Sequence, residues 1–413
     1  MYLKLLATSL LAIYSSVAFP QRHEILSDEI RSLVVTANDD WQSLPVVELN
    51  NGKIDISFDD MTHDYRRYTY TVEHCQADWS PSEQLFESDY CEGFARDNVI
   101  EDIQQSLLTN TLYTHYHLSL PNSNCRLKLS GNYKLTVCDS DDDNRPVLTA
   151  CFMVVENLMG VMLGVTTDTD IDVNNSHQQV AMELSYAGIN VSDPSEQIKT
   201  VVMQNGRWDN ARHNARPQYV MPDGLRWEHN RSYIFDAGNV YRKFEILSTD
   251  VASMGVEKIG WDGTDYHAYT FTSLPRPNYL YDESGQGAFL LRNSDNSESS
   301  YTSDYMLVNF AMKCPRVADR DVYLNGNWTY DRLLPQYKLD YNETAQQYEA
   351  VVPLKLGYYS YQYVEVDARG NMRPLVYEGN YFQTHNSYQA LVYYREPGGR
   401  TDLLVGYADT GKQ

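Results

Sequence analysis

Apolar and polar side chains alternate in short runs from residue 54 onward, as expected of strands that bury one face. Ile54, Ile56 and Phe58 share one side of such a run, which Asp59-Asp60 closes. Tyr68, Tyr70 and Val72 repeat the pattern before His74. Leu118 and Leu120, then Leu127 and Leu129, flank Pro121-Asn122-Ser123-Asn124, whose residue types predict a turn between strands. Tyr133, Leu135 and Val137 form a further strand, closed by the polar loop from Asp139 to Pro146, and Cys151 to Val155 reads as the last strand of a first block. Asp97 to Leu108 is the one stretch in this block that invites a short helix, with Asp97 as N-cap.

The alternation continues through Met182, Leu184 and Tyr186, through Val201 and Met203 before the turn-forming Gln204-Asn205-Gly206, and through Tyr233, Phe235, Phe244 and Ile246. Asn293 to Ser303, rich in Ser, Asn and acidic residues, reads as a linker. Beyond it come Met306, Val308 and Phe310, then Val322 and Leu324 leading into Asn325-Gly326-Asn327-Trp328, and finally Tyr359, Tyr361 and Tyr363. The predicted class is all-β, a series of immunoglobulin-like sandwiches. The expected organisation is an N-terminal β-sandwich over 19–157, a middle β domain over 158–300 and a C-terminal β-sandwich over 301–413.

Composition supports that class. The 413 residues include 34 tyrosines, a residue that favours strands because its ring packs while its hydroxyl reaches water or a partner. The formal charge of −23 repels phosphate backbones and anionic lipid, which argues against nucleic acid and against membrane docking. After the first twenty residues no apolar run approaches the length of a membrane helix, so no direct membrane insertion is expected. Met1 to Lys4 followed by the apolar stretch Leu5 to Phe19, with Ser16-Val17-Ala18 as a small-residue cleavage site, reads as a secretory leader over 1–18. Six cysteines suit an oxidising compartment but allow fifteen pairings, which sequence does not resolve; Cys138 and Cys151 are one candidate pair across a hairpin.

The strings that look catalytic fail position by position. Gly406 to Lys412 spells a phosphate loop, but Gln413 stands where Ser or Thr is needed and no helix follows. Asp168, Asp170 and Asp172 open like a calcium loop, yet Val173 and Gln179 occupy the positions of its Gly and its bidentate Glu. His115 and His117 would share a strand face without a third metal ligand. No catalytic residue, metal site or cofactor is therefore assigned. Trp328 and Tyr330 beside an Asn-Gly turn, with Tyr358 on the following strand, are candidates for a platform on which sugar rings stack.

Several strings then follow one another in a particular order: Ile56-Ser57-Phe58-Asp59-Asp60, Tyr70-Thr71-Val72-Glu73-His74-Cys75, Asp78-Trp79, Tyr113-Thr114-His115-Tyr116, Leu120-Pro121-Asn122 and Leu129-Ser130-Gly131-Asn132-Tyr133. Gln204-Asn205-Gly206-Arg207-Trp208, Ala237-Gly238-Asn239-Val240-Tyr241-Arg242, Asp304-Tyr305, Glu378-Gly379-Asn380-Tyr381 and Val392-Tyr393-Tyr394-Arg395 extend the series. Together they resemble the plug protein family of the Bacteroidetes type IX secretion system, from about residue 27 to residue 407. Val240-Tyr241 and the extra cysteines depart from the family pattern. The resemblance implies a periplasmic, non-enzymatic protein that binds the giant outer-membrane β-barrel translocon and seals its periplasmic opening between transport events. It also implies an early-set sandwich for the third block, like that of glycogen-binding modules. The motif-bearing turns, with His74, Asp78, Trp79, Asn205, Arg207 and Trp208, are the expected partner-binding residues. The alternative is a periplasmic or secreted carbohydrate-binding β-sandwich protein that uses Trp328, Tyr330 and Tyr358.

Overall fold

The computed structural model describes residues 23–186 and 188–412; the expected leader over 1–18 lies outside them. The regular structure among the described residues is almost entirely β-strand, and most of the strands lie in four sheets stacked face to face.

The first layer holds strands Ile30–Ala37, Ile54–Asp60, Thr114–Leu120 and Asp102–Gln105 in that spatial order. The second runs Glu24–Ile25, Arg145–Val155, Gly131–Asp139, Tyr68–Cys75 and Asn98–Val99, with Val46–Glu48 parallel to the end of Arg145–Val155. Between these layers lies a core that includes Ile56, Phe58, Tyr68, Tyr116, Tyr133 and Phe152. The third layer runs Arg212–His213, Ile198–Gln204, Tyr388–Tyr394 and Leu403–Asp409. The fourth runs Gly160–Thr166, His177–Ser185, Gly224–Trp227 and Tyr219–Met221, with Ile234–Asp236 on the side.

Where the two inner layers overlap, their central strands Arg145–Val155 and Tyr388–Tyr394 are buried on both faces. In Arg145–Val155, Ala150, Phe152 and Val154 enter the core beneath the first layer, while Cys151, Met153 and Val155 point the other way. There they meet Val201, Met203, Leu391, Tyr393 and Leu404 of the third layer. On the far side of that layer Tyr388, Ala390, Val392 and Tyr394 pack against Met182, Leu184 and Trp227 of the fourth. A strand between two apolar layers has no polar face, which is why Ala150 to Val155 and Ala390 to Tyr394 are continuous apolar runs.

A fifth sheet of ten strands curls beside the stack around Phe244, Phe310, Trp328, Tyr359 and Tyr361. Its central strand Gly357–Val366 pairs with Arg242–Ile246, Phe289–Leu291, Asp321–Asn325 and Met372–Pro374.

Four expectations meet a different arrangement. The sheets do not divide at residue 300: the third layer joins Ile198–Gln204 to Tyr388–Tyr394, and the curled sheet takes Arg242–Ile246, Val256–Trp261 and Tyr266–Thr270 from before it. Asp97 to Leu108 is not helical; Asp97 has φ +55°, and Asp102–Gln105 is an edge strand on Thr114–Leu120. Cys138 lies opposite Thr69 and Pro146 and Cys151 opposite Lys134, so these two cysteines do not face each other. The expected linker is docked against the first layer, where the Ser303 and Ser300 carbonyls accept from the Tyr113 hydroxyl and the Leu107 N–H donates to the Tyr301 carbonyl.

Candidate functional site

The turn after Tyr68–Cys75 folds back on itself, the Trp79 N–H donating to the Gln76 carbonyl at 2.9 Å. Trp79 takes φ +66°, a left-handed conformation that costs energy in a bulky residue and persists only where packing enforces it. The packing is evident: Trp79 is 4% exposed and meets Trp208 edge to face, with ring centroids 5.5 Å apart. The two turns singled out in the sequence therefore meet each other, at the seam between the second and third layers. Asp402, 1% exposed, fastens the same seam, accepting from the Ala77 N–H, Lys199 Nζ and Arg395 Nε.

This placement corrects the expected partner surface. His74, Trp79, Asn205 and Arg207 are buried, Trp208 is partly buried, and of the six only Asp78 is exposed. Burial pushes the His74 pKa down, favouring the neutral ring, whose Nε2 donates to the Ser130 carbonyl at 3.0 Å while Nδ1 lies 2.8 Å from the Ser82 hydroxyl. Gly131 is required there, because a Cβ at its φ of +144° would sit 2.3 Å from His74 Nε2. Asn205 and Gly206 both have positive φ and dock on Ser387 and Gln389. Arg207 forms a two-pronged ion pair with Asp209, at 3.0 and 2.6 Å.

The other motifs are joints as well. Tyr393 donates from its hydroxyl to Asn132 Oδ1 at 2.8 Å, joining Val392-Tyr393-Tyr394-Arg395 to Ser130-Gly131-Asn132-Tyr133. Gly238 donates its N–H to Asn380 Oδ1, Asn239 donates to the Glu378 carbonyl, and Arg242 and Arg276 both pair with the buried Glu378 carboxylate. Tyr305 donates to Asp59 Oδ2 at 2.6 Å, and Lys355 Nζ reaches the same oxygen at 2.5 Å while lying 4.1 Å from the centre of the Tyr113 ring. His115 meets the other oxygen at 2.7 Å. These contacts join the curled sheet to the first layer. Asp59, Tyr305 and Glu378 lie within the motifs, whereas no spacing in the sequence marks Lys355 or Asp402 as a buried partner.

The sugar platform is not present. Trp328 is 4% exposed, donates its indole N–H to the Ser360 carbonyl and packs within the curled sheet against Phe310, Tyr337 and Tyr359. Tyr330, 9% exposed, sends its hydroxyl to the Leu33 carbonyl. Tyr358 is half-buried, its ring edge on Trp41 and its hydroxyl accepting from the Gly285 N–H. Trp328 and Tyr330 are thus internal, and the half-buried Tyr358 has neither of them beside it at the surface to complete a platform.

Two cavities flank the Asn205 to Trp208 turn. The smaller, about 110 Å³, lies among Trp41, Leu44, Trp79, Trp208 and Tyr330. The larger, about 840 Å³, opens between the stack and the curled sheet and is lined by Arg207, Arg212, Arg332, Arg369 and Arg373 together with Glu24, Asp209, Asp236 and Asp331. Among the described residues no group of His, Cys, Asp and Glu side chains is arranged to hold a metal ion, and no helix is long and apolar enough to cross a membrane. What the assembled residues do is mechanical: they fasten five sheets into one body.

Residues 30–156 match the domain family described as the Type 9 secretion system plug protein 1st domain. A crystal structure of a hypothetical protein from Parabacteroides merdae ATCC 43184 is 36% identical, covers 94% of this chain and 98% of its own, and superposes with a TM-score of 0.90. Dimeric latent PorU from Porphyromonas gingivalis aligns at 13% identity over 57% of this chain and 19% of its own, and its TM-score of 0.16 gives it no weight. No curated protein matches.

Proposed function

Because the chain belongs to the type IX secretion system plug family, a secretion family and not an enzyme family, we propose that it is the plug of that system. In this reading it lies in the periplasm, binds the giant outer-membrane β-barrel translocon and closes its periplasmic opening when no cargo is moving. The observation that carries the reading is the family match, and the fastening of the sheets gives it a physical basis. A barrel wide enough for folded cargo leaks unless something stiff occludes it. A body whose sheets are locked by buried ion pairs and interlayer aromatics supplies stiffness without chemistry. The contact has to be reversible, which favours a moderately sized, polar interface. The carbohydrate-binding alternative is not retained, because Trp328 and Tyr330 are internal.

The test is a native pull-down of the C-terminally tagged chain from outer membranes in mild detergent. Recovery of one very large β-barrel in near-equal amount is expected. A deletion strain is expected to admit large antibiotics that the parent excludes. Recovery of the chain alone while the barrel is present in the lysate, together with an intact barrier in the deletion strain, would refute the reading.

A further inference from the structure

Cys91 and Cys125 lie on the two strands of a small ribbon, Cys91–Gly93 paired antiparallel with Cys125–Leu127, which packs on the core of the first two layers without joining either sheet. In the register Cys91 is opposite Leu127 and Cys125 opposite Gly93, so the cysteines are diagonal neighbours. Their sulfurs are 3.3 Å apart, in van der Waals contact, and need to approach by only about 1.3 Å to reach covalent distance. Both side chains are buried, at 4% and 0% exposure, in the core of the first two layers.

We propose that Cys91 and Cys125 form a structural disulfide, the one cross-link of this chain. The oxidant is another disulfide, either a small-molecule one or that of a thiol oxidoreductase. One cysteine thiolate attacks it, forming a mixed disulfide and releasing one thiol; the second cysteine then displaces the remaining half as a second thiol. Two electrons and two protons leave the cysteine pair and appear on the two released thiols. Burial pushes the Cys125 thiol well above its usual pKa, making it a poor nucleophile once the core has closed, so the bond forms while the chain is still folding. Once buried, it is shielded from reductant.

The bond has a mechanical task. It closes the segment between residues 91 and 125 and pins the ribbon beside a stretch that displays Phe86 and Phe94, which are 74% and 71% exposed. The ribbon has only two short strands, and such pairs are marginal without added support. Cys138 lies opposite Thr69 and Pro146, and Cys314 lies in the curled sheet's core, so neither is offered a cysteine partner by its register or its core. Cys75 and Cys151 share the apolar seam between the second and third layers and are the competing pair.

The test uses the full chain, unfolded and then refolded in a mixture of glutathione and glutathione disulfide. It is next denatured in excess maleimide and its mass measured. Of the six cysteines, four are expected to carry maleimide, and an unreduced peptide map is expected to show the Cys91 and Cys125 peptides linked. Six adducts would overturn the proposal, as would a link between Cys75 and Cys151. Cys91→Ala is expected to take five adducts; fewer would mean that Cys125 has another partner, which also overturns it. If that variant does not fold, the peptide map of the unaltered chain decides alone. Reduction is expected to lower the melting temperature of the unaltered chain by several degrees, and an unchanged melting temperature would refute the fastening role.

Discussion

Lys355 has no exposed side-chain surface, and its charge is matched by an Asp59 carboxylate that is itself about 1% exposed. Burial pushes the Asp59 carboxyl up, and the Lys355 charge followed by the His115 hydrogen bond more than reverses this, so its pKa lies below the ordinary 3.8. Removing one partner strands the other as a buried charge. Lys355→Met is expected to destabilise the chain by about 3–5 kcal/mol in urea titration, and adding Asp59→Asn is expected to recover part of the loss. The neighbouring pair His117 and Asp55 gives a pH signature. The hydrogen bond that His117 donates to Asp55 raises His117 above 6.5, burial opposing and Asp102 adding, so its contribution is complete below 6.5 and is lost as pH rises through the folded value. Burial pushes Asp55 up, but hydrogen bonds led by His117 bring it down to about 2, so its contribution is present above 3.8 and is lost as pH falls toward 2. The first layer is therefore expected to be most stable between these limits. Titration of the His117 ring by NMR is expected to show a midpoint above 6.5, and a midpoint at or below that value would contradict the assignment.

Individual strands were legible in the sequence wherever one face met solvent. Ile54–Asp60 and Tyr68–Cys75 could be read from alternation because part of one face is left uncovered, as at Asp55 and Ser57 in the first strand and Thr71 and Glu73 in the second, and a wet face writes its orientation into the chain. Asp97 to Leu108 misled because its strands are short and lie at sheet edges, where the residue types are set by neighbours far along the chain. The turns were found, but their side chains were assigned to the wrong surface. Nothing within Asp78-Trp79 or Arg207-Trp208 states that the two turns pack against each other; each offers an aromatic ring, and only the stacking of layers pairs them. If Trp79 and Trp208 fasten the layers together, a double-mutant cycle of Trp79→Ala and Trp208→Ala is expected to give a coupling of about 0.5–1.5 kcal/mol. Additive losses would show two independently packed rings.

At the scale of the molecule, the third layer decides how the chain folds. Ile198–Gln204 lies next to Tyr388–Tyr394, almost two hundred residues away, and the first layer's Asp59 meets Lys355 across almost three hundred. A fragment spanning 158–300 lacks Tyr388–Tyr394, which pairs along the whole of Ile198–Gln204, and Gly357–Val366, which pairs with Arg242–Ile246, and is expected to show poor amide dispersion and rapid proteolysis. A well-dispersed spectrum from that fragment would mean that the layers are separable. The whole chain, with its apolar seams shared between layers, is expected to unfold with the third layer and its neighbours in one transition followed by circular dichroism.

The sequence by itself determined the all-β class, most strand positions and, through the ordered motifs, the family. These depend on local periodicity and on residue identity, which a linear string carries in full. The tertiary structure alone decided that the sheets cross residue 300, that Trp328 and Tyr330 are internal, and that the motifs bind one another. The reason is that an aromatic or charged side chain has the same local signature whether it meets water, a partner protein or another layer of its own chain. Burial is a property of the neighbours, and for Tyr330 and Tyr393 the hydrogen-bonded neighbours, Leu33 and Asn132, lie more than two hundred residues away.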